Sequence, residues 1–162
     1  MWFSRTLCLY MLLALTLSSC NGCENQGPQP TSQEGNGPTI CSATHAGFDK
    51  FETPTELSIN DLKVGEGVEA VEGMTAHVHY IGKLQNGVQF DGSCERGSFS
   101  FVIGAKRVIA GWDKGVLGMK VGGVRRLFIP SDMAYGSREI ANVIPANSPL
   151  GFDVELISLD GE

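Results

Sequence analysis

Apolar and polar residues alternate with a period of two in short runs separated by Gly- or Asn-bearing turns. In TAHVHYIGKL, Ala76, Val78 and Tyr80 alternate with His77, His79 and Ile81. In LGFDVELISL, Phe152, Val154 and Leu156 alternate with Asp153, Glu155 and Ile157. LSINDLKVG, GVQFDGS, SFSFVIG and VRRLFIP are further β-like runs. Such alternation predicts an antiparallel sheet with one face buried and one face wet. A helical period occurs near 109–119, where Ile109, Trp112, Val116 and Leu117, with Met119 close by, take the spacing of one face. Gly111, Gly115 and Gly118 dilute that helix, and Gly122-Gly123 ends it. The pattern predicts an α+β domain, with five or six antiparallel strands wrapped around one short helix. Val116 and Leu117 are expected in the core. Trp112 is expected to face a cavity, with Gly111 letting the backbone pass beside its ring.

The N-terminal residues follow neither period. MWFSRTLCLYMLLALTLSSC carries Arg5 and then an apolar run from Leu7 to Leu17. That run is too short to span a bilayer and suits the h-region of a secretory signal. Leu17-Ser18-Ser19-Cys20 resembles the bacterial lipobox, in which two small residues precede a cysteine that is lipidated and becomes the mature N-terminus. Residues 1–19 are thus expected to be a lipoprotein signal, with Cys20 anchoring the chain to a bacterial membrane and the domain in the periplasm or on the cell surface. The alternative is ordinary cleavage near Ser19, with Cys20 free or disulfide-bonded. Residues 20–54 are expected to form a flexible tether, being rich in Gly, Pro, Gln, Asn and Ser up to about Thr44. Residues 55–162 are expected to form the domain. With Cys20 lipidated, Cys23, Cys41 and Cys94 remain, an odd number that leaves at least one thiol without an intramolecular partner. A Cys23–Cys41 pair would close a loop within the tether.

Composition narrows the chemistry. A net charge of -6 argues against a nucleic-acid surface, and Arg125-Arg126 reads as a solvated strand face. His77 and His79 share a strand face without a third ligand at a telling spacing, so no metal is expected. The chain contains no G-x-S-x-G elbow, Walker loop or H-E-x-x-H. Cys94, in DGSCERGS, has no His nearby in sequence and is not read as a catalytic thiol. The aromatics Tyr80, Phe90, Phe99, Trp112 and Tyr135 sit at strand ends or turns, which suits a lined cavity better than a mid-strand core.

Several of these segments carry a family likeness. VHYIG, FDGS, VIAGWDKGVLGMKVGGVRRLFIP, AYGSR and VIPANSPLGFDVELISL resemble, in order, the signatures of the FKBP-type peptidyl-prolyl cis-trans isomerases, from about Leu57 to Leu159. The resemblance implies a twisted antiparallel sheet around a short central helix, no cofactor, and proline-containing polypeptides and macrolide immunosuppressant-type ligands as partners. It implies that Trp112 is the pocket floor and that the Ile109 N–H, beside Val108, donates to a ligand carbonyl. Tyr80, Phe90, Phe99 and Phe152 take the place of aromatic walls, and Tyr135 that of a rim hydroxyl donor. Asp91 and Arg96, with the Tyr80 hydroxyl, make a polar edge, while Ile144 and Val143 belong to an overhanging apolar loop. Asp91, Tyr135, Trp112 and Ile109 are the residues expected to carry catalysis. Two departures stand out: the loop between Asp91 and Phe99 is about one residue short, and Ile140 replaces a histidine found in some members.

The implied reaction needs no nucleophile. Amide resonance opposes rotation with a barrier of about 18–20 kcal/mol, and the X-Pro isomers are close in energy but exchange slowly. A pocket that prefers the twisted amide is sufficient. The expected activity is isomerisation of X-Pro bonds during folding of exported proteins, by a monomer. The alternative is a non-catalytic chaperone or peptide-binding module using the same pocket.

Overall fold

A computed structural model of the chain describes residues 39–42 and 47–161. The expected signal, the Cys20 lipidation site and Cys23 lie outside these residues.

The period-two runs form one antiparallel sheet of six strands: β1 Ser58–Lys63, β2 Thr75–Leu84, β3 Gln89–Gly92, β4 Phe99–Val102, β5 Val124–Ile129 and β6 Leu150–Asp160. Strand order is β1-β5-β6-β2, and beyond β2 the sheet divides. β4 pairs with Thr75–Val78, and β3 pairs with Ile81–Lys83. His79 and Tyr80 therefore lie in a gap with no ladder partner on that side. Ser93 fills it: its N–H donates to the Tyr80 carbonyl at 3.0 Å and its Oγ accepts the Tyr80 N–H at 2.9 Å. Two backbone groups that would otherwise be stranded are thereby satisfied.

The helix α1, Ala110–Gly115, is shorter than its sequence period. It lies on the inner face of the sheet, where Trp112, Val116 and Met119 pack with Val78, Leu127, Val154 and Leu156. A Cβ at Gly111 would come within 2.4 Å of the Ile129 side chain, and one at Gly115 within 2.7 Å of Leu127. The helical glycines thus seat α1 on β5, and Gly111 answers to Ile129 rather than to the indole ring. Because the helix stops at Gly115, Leu117 leaves the apolar face and is 39% exposed, contrary to its expected place in the core.

Arg125 and Arg126 are not a solvated pair. Neighbours on a strand point to opposite faces, and each guanidinium finds carboxylate oxygens on its own side. Arg125 donates to the carbonyls of Gly115 and Leu117, both at 2.9 Å, and to Asp61 at 2.6 and 3.1 Å, so it satisfies the end of α1. Arg126 grips Asp153 at 2.6 and 2.9 Å. Asp153 is 1% exposed, so the pairing is what makes its burial tolerable.

That burial contradicts the expected wet face of β6, where every residue from Leu150 to Leu156 is buried. The cover is a strap made from the end of the presumed tether. Ile40 is 1% exposed, and its N–H donates to Glu155 Oε2 at 3.0 Å. Phe48, Phe51 and Phe128 form an aromatic cluster with ring centroids 4.7–5.7 Å apart, and Arg126 stands 4.9 Å over the Phe48 ring. Gly151 leaves room for it, since a Cβ there would lie 2.4 Å from Phe48. Cys41 is joined to Cys94, 53 residues away, rather than to Cys23. In the chain-entropy account, closing a loop of that length stabilises the fold by roughly 4 kcal/mol. Among the described residues, packing thus already includes Ile40, Cys41, Phe48 and Phe51, ahead of residue 55, because two phenylalanines, an isoleucine and a cysteine are enough to dock segments whose other residues are polar or small.

Candidate active site

The site is built where α1 meets the split edge of the sheet. Trp112, in the first turn of α1, is 4% exposed and ringed by aromatic side chains. Tyr80, Phe152, Phe101 and Phe99 lie 5.2, 5.3, 5.5 and 5.9 Å from it between ring centroids, all edge to face. Such contacts contribute about 0.5–1.5 kcal/mol each beyond burial. The indole Nε1–H has no acceptor among the described residues, in keeping with an apolar floor.

Above this floor is a cavity of about 560 Å³. Of the residues singled out from sequence, Tyr80, Phe90, Asp91, Phe99, Val108, Ile109, Trp112, Tyr135 and Phe152 line it. Val143 and Ile144 do not. They line an adjoining hollow of about 190 Å³ together with Ile140, which shares Phe90, Asp91 and Tyr135 with the main cavity. Ile144 is buried while Val143 is 48% exposed at the tip of the turn joined by mutual Ile140 and Ile144 backbone bonds. Arg96 stands outside both cavities and reaches the site through Asp91.

The polar edge is a connected cluster. The Tyr80 hydroxyl donates to Asp91 Oδ2 at 2.6 Å, and the Gly92 N–H donates to Oδ1 at 2.9 Å. Arg96 pairs with Asp91 Oδ1 and donates to the Gly92 carbonyl at 2.8 Å and to the Tyr80 oxygen at 3.4 Å. The shortened loop thus still lets Arg96 meet Asp91. Burial, and then the bond to Asp91, push the Tyr80 phenol up to about 12. Burial and the nearby Asp91 charge also raise the Tyr135 phenol. Asp91 raises Arg96 further above its ordinary value. Both phenols therefore stay protonated at neutral pH.

Two donors are left over. The Ile109 N–H precedes α1 and has no acceptor among the described residues, while the Ile109 carbonyl takes the Trp112 N–H at 2.9 Å. The hydroxyl of Tyr135, a residue 37% exposed, likewise makes no hydrogen bond among them.

Arg107, Ala110 and Ala134 also line the cavity without having been singled out. Small residues carry no chemical signature, and Arg107 is marked only by preceding Val108. Asp113 was missed as well. It is buried, with Oδ1 accepting the Gly104 N–H and Oδ2 the Lys106 N–H, both at 3.0 Å, which fixes the loop leading into Val108 and Ile109. Its signal was an acidic residue in the first turn of a helix. His77 and His79 face away from the cavity: His77 meets Ser100 and Asp160 at 2.6 and 2.7 Å, and His79 meets Ser93 at 3.0 Å.

The family pattern described as FKBP-type peptidyl-prolyl cis-trans isomerase matches residues 66–157, most of the sheet and all of α1. The chain belongs to this family.

A FK506-binding protein of Neisseria meningitidis serogroup A is 48% identical over 104 residues, 64% of this chain and 95% of that protein. An FK506-binding protein 4 of Rhizopus delemar is 47% identical over 106 residues, covering 65% of this chain. This chain spans only 28% of the Rhizopus protein's length. The crystal structure of AtFKBP13 superposes with a TM-score of 0.62 at 40% identity, over 70% of this chain and 99% of that one. The described residues of the strap, from 39 on, lie well before the matched FKBP-type segment at 66. It is an addition to the matched segment, bonded to that segment at Cys94.

Proposed function

We propose that this chain accelerates cis-trans isomerisation of X-Pro bonds in polypeptides. The observation that carries the reading is the apolar floor of Trp112 under a cavity with two donors that have no acceptor among the described residues, the Ile109 N–H and the Tyr135 hydroxyl. The pyrrolidine ring of the substrate rests on the indole. The two donors hold the flanking carbonyls, so the chain on either side of the bond is fixed while the bond itself turns. Planar amides are the more polar states, and exclusion of water by Tyr80, Phe99 and Phe152 favours the twisted one. The Asp91 carboxylate is held by Tyr80 and Arg96 at the cavity wall, where it faces the positive carbon end of the carbonyl dipole as the amide twists. Each tenfold of rate requires about 1.4 kcal/mol of such preference.

The substrates we propose are exported polypeptides, with the domain held to a bacterial membrane through Cys20. Support comes from the lipobox-like Leu17-Ser18-Ser19-Cys20 and from the Cys41–Cys94 disulfide, a bond typical of oxidising compartments.

Isomerisation of a short proline peptide tests the activity. Acceleration that Trp112→Ala and Asp91→Ala both reduce supports it. Binding of the peptide without acceleration makes the pocket a non-catalytic peptide-binding module instead. Mass spectrometry of the mature N-terminus tests the anchor, and an unmodified Cys20 removes it.

A further inference from the structure

The loop between β3 and β4, residues 93–98, carries Arg96 and joins the two lips of the cavity, Asp91 and Phe99. It is held to the sheet at two points. The first is Ser93, 2% exposed, which is bonded to both backbone groups of Tyr80 and to His79. The second is Cys94, whose disulfide leads to Cys41 and from there to Ile40, buried against the sheet with its N–H on Glu155. Glu155 lies in the middle of β6 and is itself 6% exposed. Between these points and Arg96 the loop is a tight turn, closed by the Arg96 N–H on the Ser93 carbonyl at 3.0 Å.

We propose that the Cys41–Cys94 disulfide is a positioning element of the active site. It ties the strap to the loop so that Arg96 stays on Asp91 and Tyr80. Arg96 itself is 64% exposed, and a long side chain in water does not hold one rotamer unaided. Its backbone must be placed for it. Ser93 fixes one end of the turn on β2, and the disulfide fixes the next residue through Ile40 to Glu155 on β6, the register partner of His79. Without it, residues 94–98 would be free to swing about Ser93, and Asp91 would keep only its bonds to Tyr80 and Gly92. Cys41 and Cys94 are thus positioning residues that act through Arg96, not groups that touch substrate.

Resting on the isomerase reading above, the test is a double-mutant cycle on kcat/KM for a proline peptide, with peptide binding followed in parallel by Trp112 emission. Cys41→Ser, Cys94→Ser and the double variant should each lower kcat/KM by a similar roughly three- to tenfold, measured where all are fully folded. In an Arg96→Ala background the same changes should cost less than about twofold, because the element they position is gone. Equal losses in both backgrounds, or no loss in either, overturn the proposal while leaving the isomerase reading intact. If the serine variants do not fold, Ile40→Ala keeps the disulfide but loosens its docking. It should then lower kcat/KM about two- to threefold with Arg96 present and not without it, and equal effects overturn the proposal. A wild type that binds peptide without accelerating isomerisation sinks the activity alone, and the cycle is then read from binding.

Discussion

Asp113 holds Lys106 in a left-handed backbone conformation. Its Oδ2 accepts the Lys106 N–H at 3.0 Å, and Lys106 sits at φ 56°. The loop so shaped delivers Val108 and Ile109 to the cavity. Asp113→Ala strands two backbone donors and should cost about 1–3 kcal/mol in urea unfolding, with a fall in kcat/KM. Lys106→Gly relieves the positive φ and should gain up to about 1 kcal/mol. An unchanged midpoint for Asp113→Ala would remove the carboxylate from this account.

Trp112 donates no hydrogen bond to any described residue, so its contribution is volume and ring contact. Trp112→Ala should therefore cost about 3–5 kcal/mol. Trp112→Phe, which keeps a ring and loses no bond, should cost less than half of that and retain more of the activity. Chemical denaturation and the peptide assay check both, and equal losses for the two variants would contradict a packing role.

Tyr80 makes stability depend on alkaline pH. Its folded pKa, about 12, lies above the ordinary value of 10.0, so the folded state holds the phenol proton more tightly than the unfolded chain. The resulting stability is fully present below pH 10 and is lost as pH rises through about 12. Phenolate absorbance in the folded protein should show Tyr80 titrating late, with Tyr135 also shifted upward. Asp91→Asn removes the charge and weakens the acceptor, so that titration should move down but not all the way, since burial is the larger cause.

Gly151 and Phe48 share one space. A methyl group at Gly151 would lie 2.4 Å from the Phe48 ring, so Gly151→Ala should destabilise by about 1–3 kcal/mol. Once Phe48→Ala has vacated the site, the same change should cost much less. Additive losses in a thermodynamic cycle would mean that the strap is not the obstacle.

The sheet was legible because a strand buried on one side writes its period into the sequence, as Ala76, Val78 and Tyr80 do. β6 misled for the same reason: Asp153 and Glu155 keep the alternation of a wet face although the strap covers them. The strap left no signal of its own, since Ile40, Phe48 and Phe51 follow no period and stand among Gly, Pro and Thr. Cysteine spacing could not pair Cys41 with Cys94 across 53 residues. In the site, Phe99 and Trp112 stand at element ends as the pattern suggested, but Tyr80 lies mid-strand in β2, and family resemblance placed Asp91, Arg96 and Tyr135. Asp113 stayed hidden because its partners are backbone N–H groups, which every residue but proline has.

The divided edge of the sheet also sets where the molecule opens first. β2 and β6 share ten register pairs, whereas β3 and β4 have four residues each and neither bonds to the other strand. Fluctuations that would have to break a long ladder elsewhere need only a few bonds here. Amide exchange should rank the protein accordingly, fastest along the lips that carry Asp91 and Phe99 and slowest in the β2–β6 ladder. A client chain would thus meet two small flaps, one on each side of the anchored Ser93–Cys94 turn, hung from a far longer ladder.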